Sequence, residues 1–139
     1  MIENYPDAFL ARVSDSPNIT LLHGDLHLWN LFYPKNVETG QLILSDWETY
    51  KRGLGAYDLA YLMVHGTSDR KQYESRLMDF YYTGLIDGGI TGYSREDFEY
   101  DYRLSVIACV FCPLIWKRAF SMRSAMKAYA DWNCKELLG

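Results

Sequence analysis

The sequence has only three histidines, three cysteines, no basic excess, no apolar run of membrane-spanning length and no glycine in its first eighteen residues. Each shortage excludes something. Lys and Arg total 14 against 18 Asp and Glu, for a net charge of −4, and the basic residues are scattered. No basic stripe is available to follow a phosphate backbone, so nucleic acid is not an expected partner. Cys109, Cys112 and Cys134 are an odd set, and "MIENYPDAFLARV" carries acidic residues without the apolar core of a signal peptide. Reduced intracellular thiols and a cytoplasmic location are therefore expected. Cys109 and Cys112 have CxxC spacing, but no second pair follows and "VIACVFCPLIW" surrounds them, so buried inert thiols are expected rather than a zinc or redox site. That window, Leu104 to Trp116, contains Ser105 and Pro113 and is shorter than the roughly 20 residues of a spanning helix. It reads as a core helix, and no membrane partner is expected.

What remains is a chain of 139 residues, 49% hydrophobic and 16% aromatic, enough for one packed domain over 1–139. Residues 5–13 read as the end of a helix, and the breaker "SDSPN" precedes the β-like run "ITLLH". "LFY" and "QLILSD", separated by the turn-rich "PKNVETG", form a hairpin that places Asp46 at a strand end. "WETYKRGLG" reads as a loop, after which "AYDLAYLMVHG" shifts to helical spacing. "SDRKQYESRLMDFYYTGL" is a helix capped by Ser68 or Thr67 and stopped near Gly88 and Gly89. "SREDFEYDYRLSVIACVF" opens with Ser94 and Asp97 as a capping box, and Pro113 should end or kink that helix before "SMRSAMKAYADWNCKELLG". The expected fold is α+β and mostly helical, a small β-hairpin region followed by three or four helices.

The polar exceptions cluster at the ends of the hairpin. In "HGDLHLWN" Asp25 precedes Asn30 by five positions, and Asp46 follows Asn30 by sixteen. If the two runs pair, the loop before the first and the end of the second share an edge, which brings Asp25, Asn30 and Asp46 together. Such hard oxygen donors suit Mg2+, which keeps positions open for phosphate oxygens. Asp25 is then free to take or orient a hydroxyl proton. A loop aspartate, an asparagine five positions on and a metal-binding aspartate at a following strand end are the parts that phosphoryl transfer requires.

On these residues the chain resembles the C-terminal lobe of the aminoglycoside phosphotransferase and choline kinase group, small-molecule kinases with a protein-kinase-like fold. "HGDLHLWN" matches that group's HGDxxxxN loop, "ILSDWE" is similar to its IDWE or IDFE metal segment, and "GLGAYDLAYLM" resembles its glycine-then-DLA stretch. The resemblance covers nearly the whole chain. It implies ATP-dependent phosphoryl transfer to a hydroxyl of a small molecule, with Asp25 as catalytic base and Asn30 and Asp46 holding the Mg2+ of bound ATP. It further implies that His23 braces the loop and that Asp58 supports it by accepting hydrogen bonds from its backbone. His27 sits two residues after the base, where protein kinases commonly carry a lysine. A protonated imidazole contacting the transferred group and a neutral one shaping the loop are both open readings. Glu48 is a candidate contact for a second metal or a substrate amine, or a solvated residue at the loop edge. His65 reads as a surface or core histidine.

The same resemblance calls for a nucleotide-covering lobe with a glycine-rich loop and a strand lysine, which the glycine-free "MIENYPDAFLARVSDSPN" does not contain. The chain is therefore expected to be a C-terminal catalytic lobe whose N-terminal lobe must be supplied in cis or trans, with an apolar patch on helices that would pack against it. A pseudokinase-like interaction fragment is the alternative. A metal-dependent phosphoesterase built on "HGDLH" is a weaker one, since His65 is the only histidine left to complete a ligand set. The acceptor, and the choice of ATP or GTP as donor, obey no local code.

Overall fold

In the computed structural model the described residues are 4–15, 18–116 and 119–138. Five helices dominate: α1 (Tyr5–Asp15), α2 (Ala56–His65), α3 (Arg70–Asp87), α4 (Arg95–Trp116) and α5 (Ala119–Asp131). Four short strands, β1 (Ile19–Leu22), β2 (Leu31–Phe32), β3 (Ile43–Leu44) and β4 (Lys51–Leu54), form two antiparallel pairs, β1 with β4 and β2 with β3. The architecture is thus mostly helical with two small sheets.

The helix boundaries follow local chemistry. Asp97 N–H donates to the Ser94 hydroxyl at 3.0 Å and Ser94 donates back to the Asp97 carboxylate, which satisfies orphan amides at the start of α4. At the end of α3, Gly89 has φ +90 and the amides of Gly89 and Ile90 donate to the carbonyls of Ile86 and Leu85. This paired closure needs the left-handed backbone that glycine adopts without a Cβ penalty. The start of α3 differs from expectation. Asp69 is the residue that precedes it; Thr67 accepts the Asp69 amide two residues on instead of capping the helix, and Ser68 does not cap it either.

Two further expectations change. Residues 51–54, read as loop, form β4, because β1 offers a ladder to Lys51–Leu54 and Gly53 and Leu54 are buried against it. Pro113 does not end its helix: α4 continues through it to Trp116. Pro113 is itself buried, and Val110 and Cys112 of the same helix lie in the core, packing that offsets the missing backbone donor.

The core lies where α2 meets α4 and α5. Leu59, Ala60, Tyr61 and Val64 of α2 pack with Phe98, Tyr102, Val106, Ile107 and Cys109 of α4 and with Ala125 and Ala128 of α5. The buried alanines Ala60, Ala125 and Ala128 carry little side-chain bulk at these contacts. All three cysteines are buried and free, as expected of Cys109 and Cys112, and burial raises each thiol's pKa, that of Cys134 to about 12. Two ionic joints, each with one fully or nearly fully buried partner, tie the outer helices in. Arg12 of α1 reaches Asp101 of α4 at 2.5 Å, and Tyr93 donates to the other oxygen of the same carboxylate at 2.7 Å. Arg70 bridges Glu74 and Asp131, linking α3 to α5, and Tyr102 donates to Glu74 at 2.6 Å.

The exposed large apolar side chains gather on the β2–β3 hairpin and its flanks more than on the helices. Phe32 and Ile43, a cross-strand pair, are each 60% exposed, and Trp29 is 83% exposed. No helix among the described residues is long and apolar enough to cross a membrane.

Candidate active site

The two sheets determine where the polar loop residues meet. In the β1–β4 ladder Leu22 pairs with Lys51, so the loop leaving β1 lies beside the turn entering β4. In the β2–β3 ladder Leu31 pairs with Leu44, and the next residues out are Asn30 and Ser45. Ser45 N–H donates to the Asn30 carbonyl at 2.9 Å and its hydroxyl donates to the same oxygen at 3.2 Å. Asp46 is thus one residue beyond the partner of Asn30, the juxtaposition the hairpin spacing implies.

The loop is fixed from beneath by α2. Asp58 accepts the His23 amide at 2.7 Å through Oδ2 and the Gly24 amide at 2.9 Å through Oδ1. An ionised carboxylate that takes two backbone donors makes strong, directional bonds. His23 is 2% exposed and uses both ring nitrogens. Nδ1 accepts the Asp25 amide at 3.4 Å, which makes Nε2 the protonated nitrogen, and Nε2 donates to the Ser45 carbonyl at 2.7 Å. One imidazole in one tautomer therefore joins the loop to the end of β3. Thr49 donates its hydroxyl to the His23 carbonyl at 3.1 Å, and the Trp47 ring lies 4.8 Å from that of His23. Gly24, at φ +87, lies so close to Thr49 that a Cβ there would overlap the Thr49 carbonyl oxygen.

Asp25 itself is partly exposed. Its backbone carbonyl accepts the Asn30 side-chain amide at 3.1 Å, which closes the loop and leaves Asn30 Oδ1 as that side chain's remaining acceptor. Of its two carboxylate oxygens, Oδ1 accepts the Tyr61 hydroxyl, and Oδ2 stands 3.4 Å from His27 Nε2. Burial, followed by the hydrogen bond to Asp25, pushes the Tyr61 phenol well above its ordinary pKa, so it stays a donor. His27 packs edge-on against Trp29, with ring centroids 5.6 Å apart.

Asp46 has φ 63 and ψ 60, a left-handed backbone that aspartate tolerates better than most residues, and it is exposed beside the turn Trp47–Thr49. Glu48, in that turn, is exposed as well. His65 is at the far end of α2, where Nδ1 bonds the Ser121 hydroxyl and the ring lies beside the Cys109 carbonyl without a well-formed hydrogen bond to it. Burial lowers its pKa. No three His, Cys, Asp or Glu side chains among the described residues converge as a self-sufficient metal cage. Sequence reasoning missed Tyr61, which reads in "AYDLAYLM" as one more core aromatic. Its only signal is the spacing of three from Asp58, which puts both on one helix face.

No curated protein and no solved structure matches the chain. A family model described as the ecdysteroid kinase-like family matches residues 1–89, the span that contains the loop, the hairpin and α2. That family is protein-kinase-like and related to the phosphotransferases, the broader class in which the sequence resemblance lies. The chain belongs to the ecdysteroid kinase-like family.

Proposed function

We propose that these residues are the C-terminal catalytic lobe of a small-molecule kinase, which transfers the γ-phosphoryl group of ATP to a hydroxyl of its acceptor. The observation that supports this best is the double tether of the His23–Gly24 backbone to Asp58, which holds Asp25 at a fixed place beside Asn30. Phosphoryl transfer needs little covalent work from the protein and much positioning, which is what a loop held by a buried helix supplies.

In this reading Asp25 accepts the acceptor's hydroxyl proton as that oxygen attacks the γ-phosphorus and the bond to the ADP oxygen breaks. Asn30 Oδ1 and the Asp46 carboxylate fit a Mg2+ ion: the Asn30 nitrogen is already engaged with the loop, Asp46 is exposed, and both offer oxygen. The ion would neutralise charge on the phosphate oxygens. A set of two protein ligands agrees with a metal that arrives on its nucleotide, for which a self-sufficient cage is not required. In this reading His27, 3.4 Å from Asp25 Oδ2, meets the transferred group from the protein side. His23 and Asp58 act on the loop alone. Glu48 is assigned to the acceptor side of the site. A nucleotide-covering lobe, in cis or in trans, belongs to the same proposal, as does ATP as the donor.

The family's name makes an ecdysteroid hydroxyl the first acceptor to assay, ahead of a wider set of hydroxylated small molecules. Transfer of labelled phosphate from MgATP is the measurement, with Asp25→Ala expected to lower kcat by about two to four orders of magnitude, the usual worth of a positioned base. Transfer by Asp25→Ala at the wild-type rate would refute the assignment.

A further inference from the structure

The proposed transfer depends on Asp25, and the structure gives its two oxygens unlike surroundings. Oδ1 accepts the hydroxyl of Tyr61, a side chain only 2% exposed. Oδ2 is not engaged by Tyr61 and stands 3.4 Å from His27 Nε2, on a side chain that is 28% exposed. Tyr61 stands on α2 three residues after Asp58, so one helix face holds the loop twice: Asp58 fixes the His23 and Gly24 amides, and Tyr61 fixes the side chain that follows. Tyr61 is held in its turn. The His65 ring, four residues on, meets it edge-on at 5.0 Å and 65°, and His65 is tied to Ser121 of α5.

A partly exposed aspartate with no side-chain partner samples several staggered χ1 wells. Only one of these can point a given oxygen at an acceptor. A hydrogen bond from a rigid, buried phenol to a carboxylate selects a single well, because it is charge-assisted and its donor cannot follow the carboxylate as it rotates.

We propose that Tyr61 is the positioning residue for Asp25: by holding Oδ1 it presents Oδ2 to the acceptor hydroxyl. The role in turnover rests on the assignment of Asp25 as base, whereas the hydrogen bond can be tested without it. Tyr61→Phe keeps the ring, its burial and its contact with His65, and removes only the hydroxyl.

The experiment pairs two readouts on the full chain. In a double-mutant cycle of urea unfolding, Tyr61→Phe is expected to lower the folding equilibrium constant about tenfold when Asp25 is present and less than about twofold in the Asp25→Ala background. With MgATP, a nucleotide-covering lobe supplied in trans and an ecdysteroid acceptor, Tyr61→Phe is expected to lower kcat about tenfold and leave both KM values within about twofold, since orientation and not binding is lost. Equal stability effects with and without Asp25 would show that Tyr61 does not hold it, and would overturn the proposal. Coupling in stability with an unchanged kcat would make Tyr61 a purely structural partner and overturn its role in turnover alone. Absence of transfer by the wild type in the presence of a nucleotide-covering lobe would remove the base assignment, and the positioning role with it, while the unfolding cycle would still report on the hydrogen bond.

Discussion

Gly24 is the residue at which the site has the least room, and substituting alanine there separates two physical effects. At φ +87 an L-residue is strained, by about 1–2 kcal/mol. A Cβ would also overlap the Thr49 carbonyl oxygen and lie 3.1 Å from the carbonyl carbon and the Thr49 hydroxyl. Relief requires the loop and the turn before β4 to separate, which disturbs the Thr49 bond to the His23 carbonyl and the Gly24 bond to Asp58. At about 1 kcal/mol for each disturbed bond, Gly24→Ala should destabilise by about 3–4 kcal/mol in total. Gly89 is the internal control. Its φ of +90 is nearly the same, but nothing lies within 4 Å of its would-be Cβ, so Gly89→Ala should cost only the conformational part, about 1–2 kcal/mol. Urea unfolding of the two variants measures the difference directly. If Gly24→Ala costs no more than Gly89→Ala, the close approach of Thr49 is not a constraint and the account of how the loop is seated fails.

Other consequences can be measured on the same protein. Arg12→Ala should cost about 3 kcal/mol or more in urea unfolding, because it strands the fully buried Asp101 carboxylate with Tyr93 as its remaining donor, and a loss below about 1 kcal/mol would refute the buried joint. Burial depresses the His65 pKa below 6.5, so between that lowered value and 6.5 the unfolded chain binds more protons than the folded one. Stability from this residue is therefore complete above about pH 6.5 and is lost as pH falls through the folded value; the difference between wild type and His65→Asn across pH 5 to 7.5 should show it, and parallel curves would contradict it. Hydrogen exchange should find the His23 and Gly24 amides, bonded to Asp58, protected well beyond the Ser45 amide on the exposed hairpin. Comparable exchange at both would mean that α2 does not hold the loop.

What the sequence made legible was local. The capping box of Ser94 and Asp97 spans three residues and obeys a spacing rule, and the Asn30–Ser45 apposition follows once "LFY" and "QLILSD" pair as a hairpin. β4 was not legible, because Lys51, Arg52 and Gly53 have no strand signature of their own and become a strand only through the ladder with β1, some thirty residues earlier. Of the two outcomes expected of Pro113, an end or a kink, the helix end does not occur: the cost of a proline in a helix is local, while α4 as a whole is held by packing against α2 and α5. Tyr61 shows the limit most clearly. Only its spacing of three from Asp58 distinguishes it locally from Tyr57 or Tyr102, and its bond to Asp25 joins residues 36 positions apart.

The two halves of the proposed site are therefore built to different stiffness. Asp25 and its backbone neighbours hang from α2, a helix whose residues Leu59, Ala60, Tyr61 and Val64 are core, so the anchors of the proposed base belong to the centre of the fold. Asp46 has no such support: it follows a two-residue strand, its side chain is exposed, and its backbone occupies the left-handed region. His23 is the link between them, with one ring nitrogen on the Asp25 amide and the other on the Ser45 carbonyl just before Asp46. A base must meet one oxygen along a narrow approach, whereas a cation with water in its shell tolerates a ligand that moves. Rigidity on the side of proton transfer and freedom on the side of the nucleotide's metal is the distribution that phosphoryl transfer would use, and it follows here from which of the two carboxylates the core helix holds.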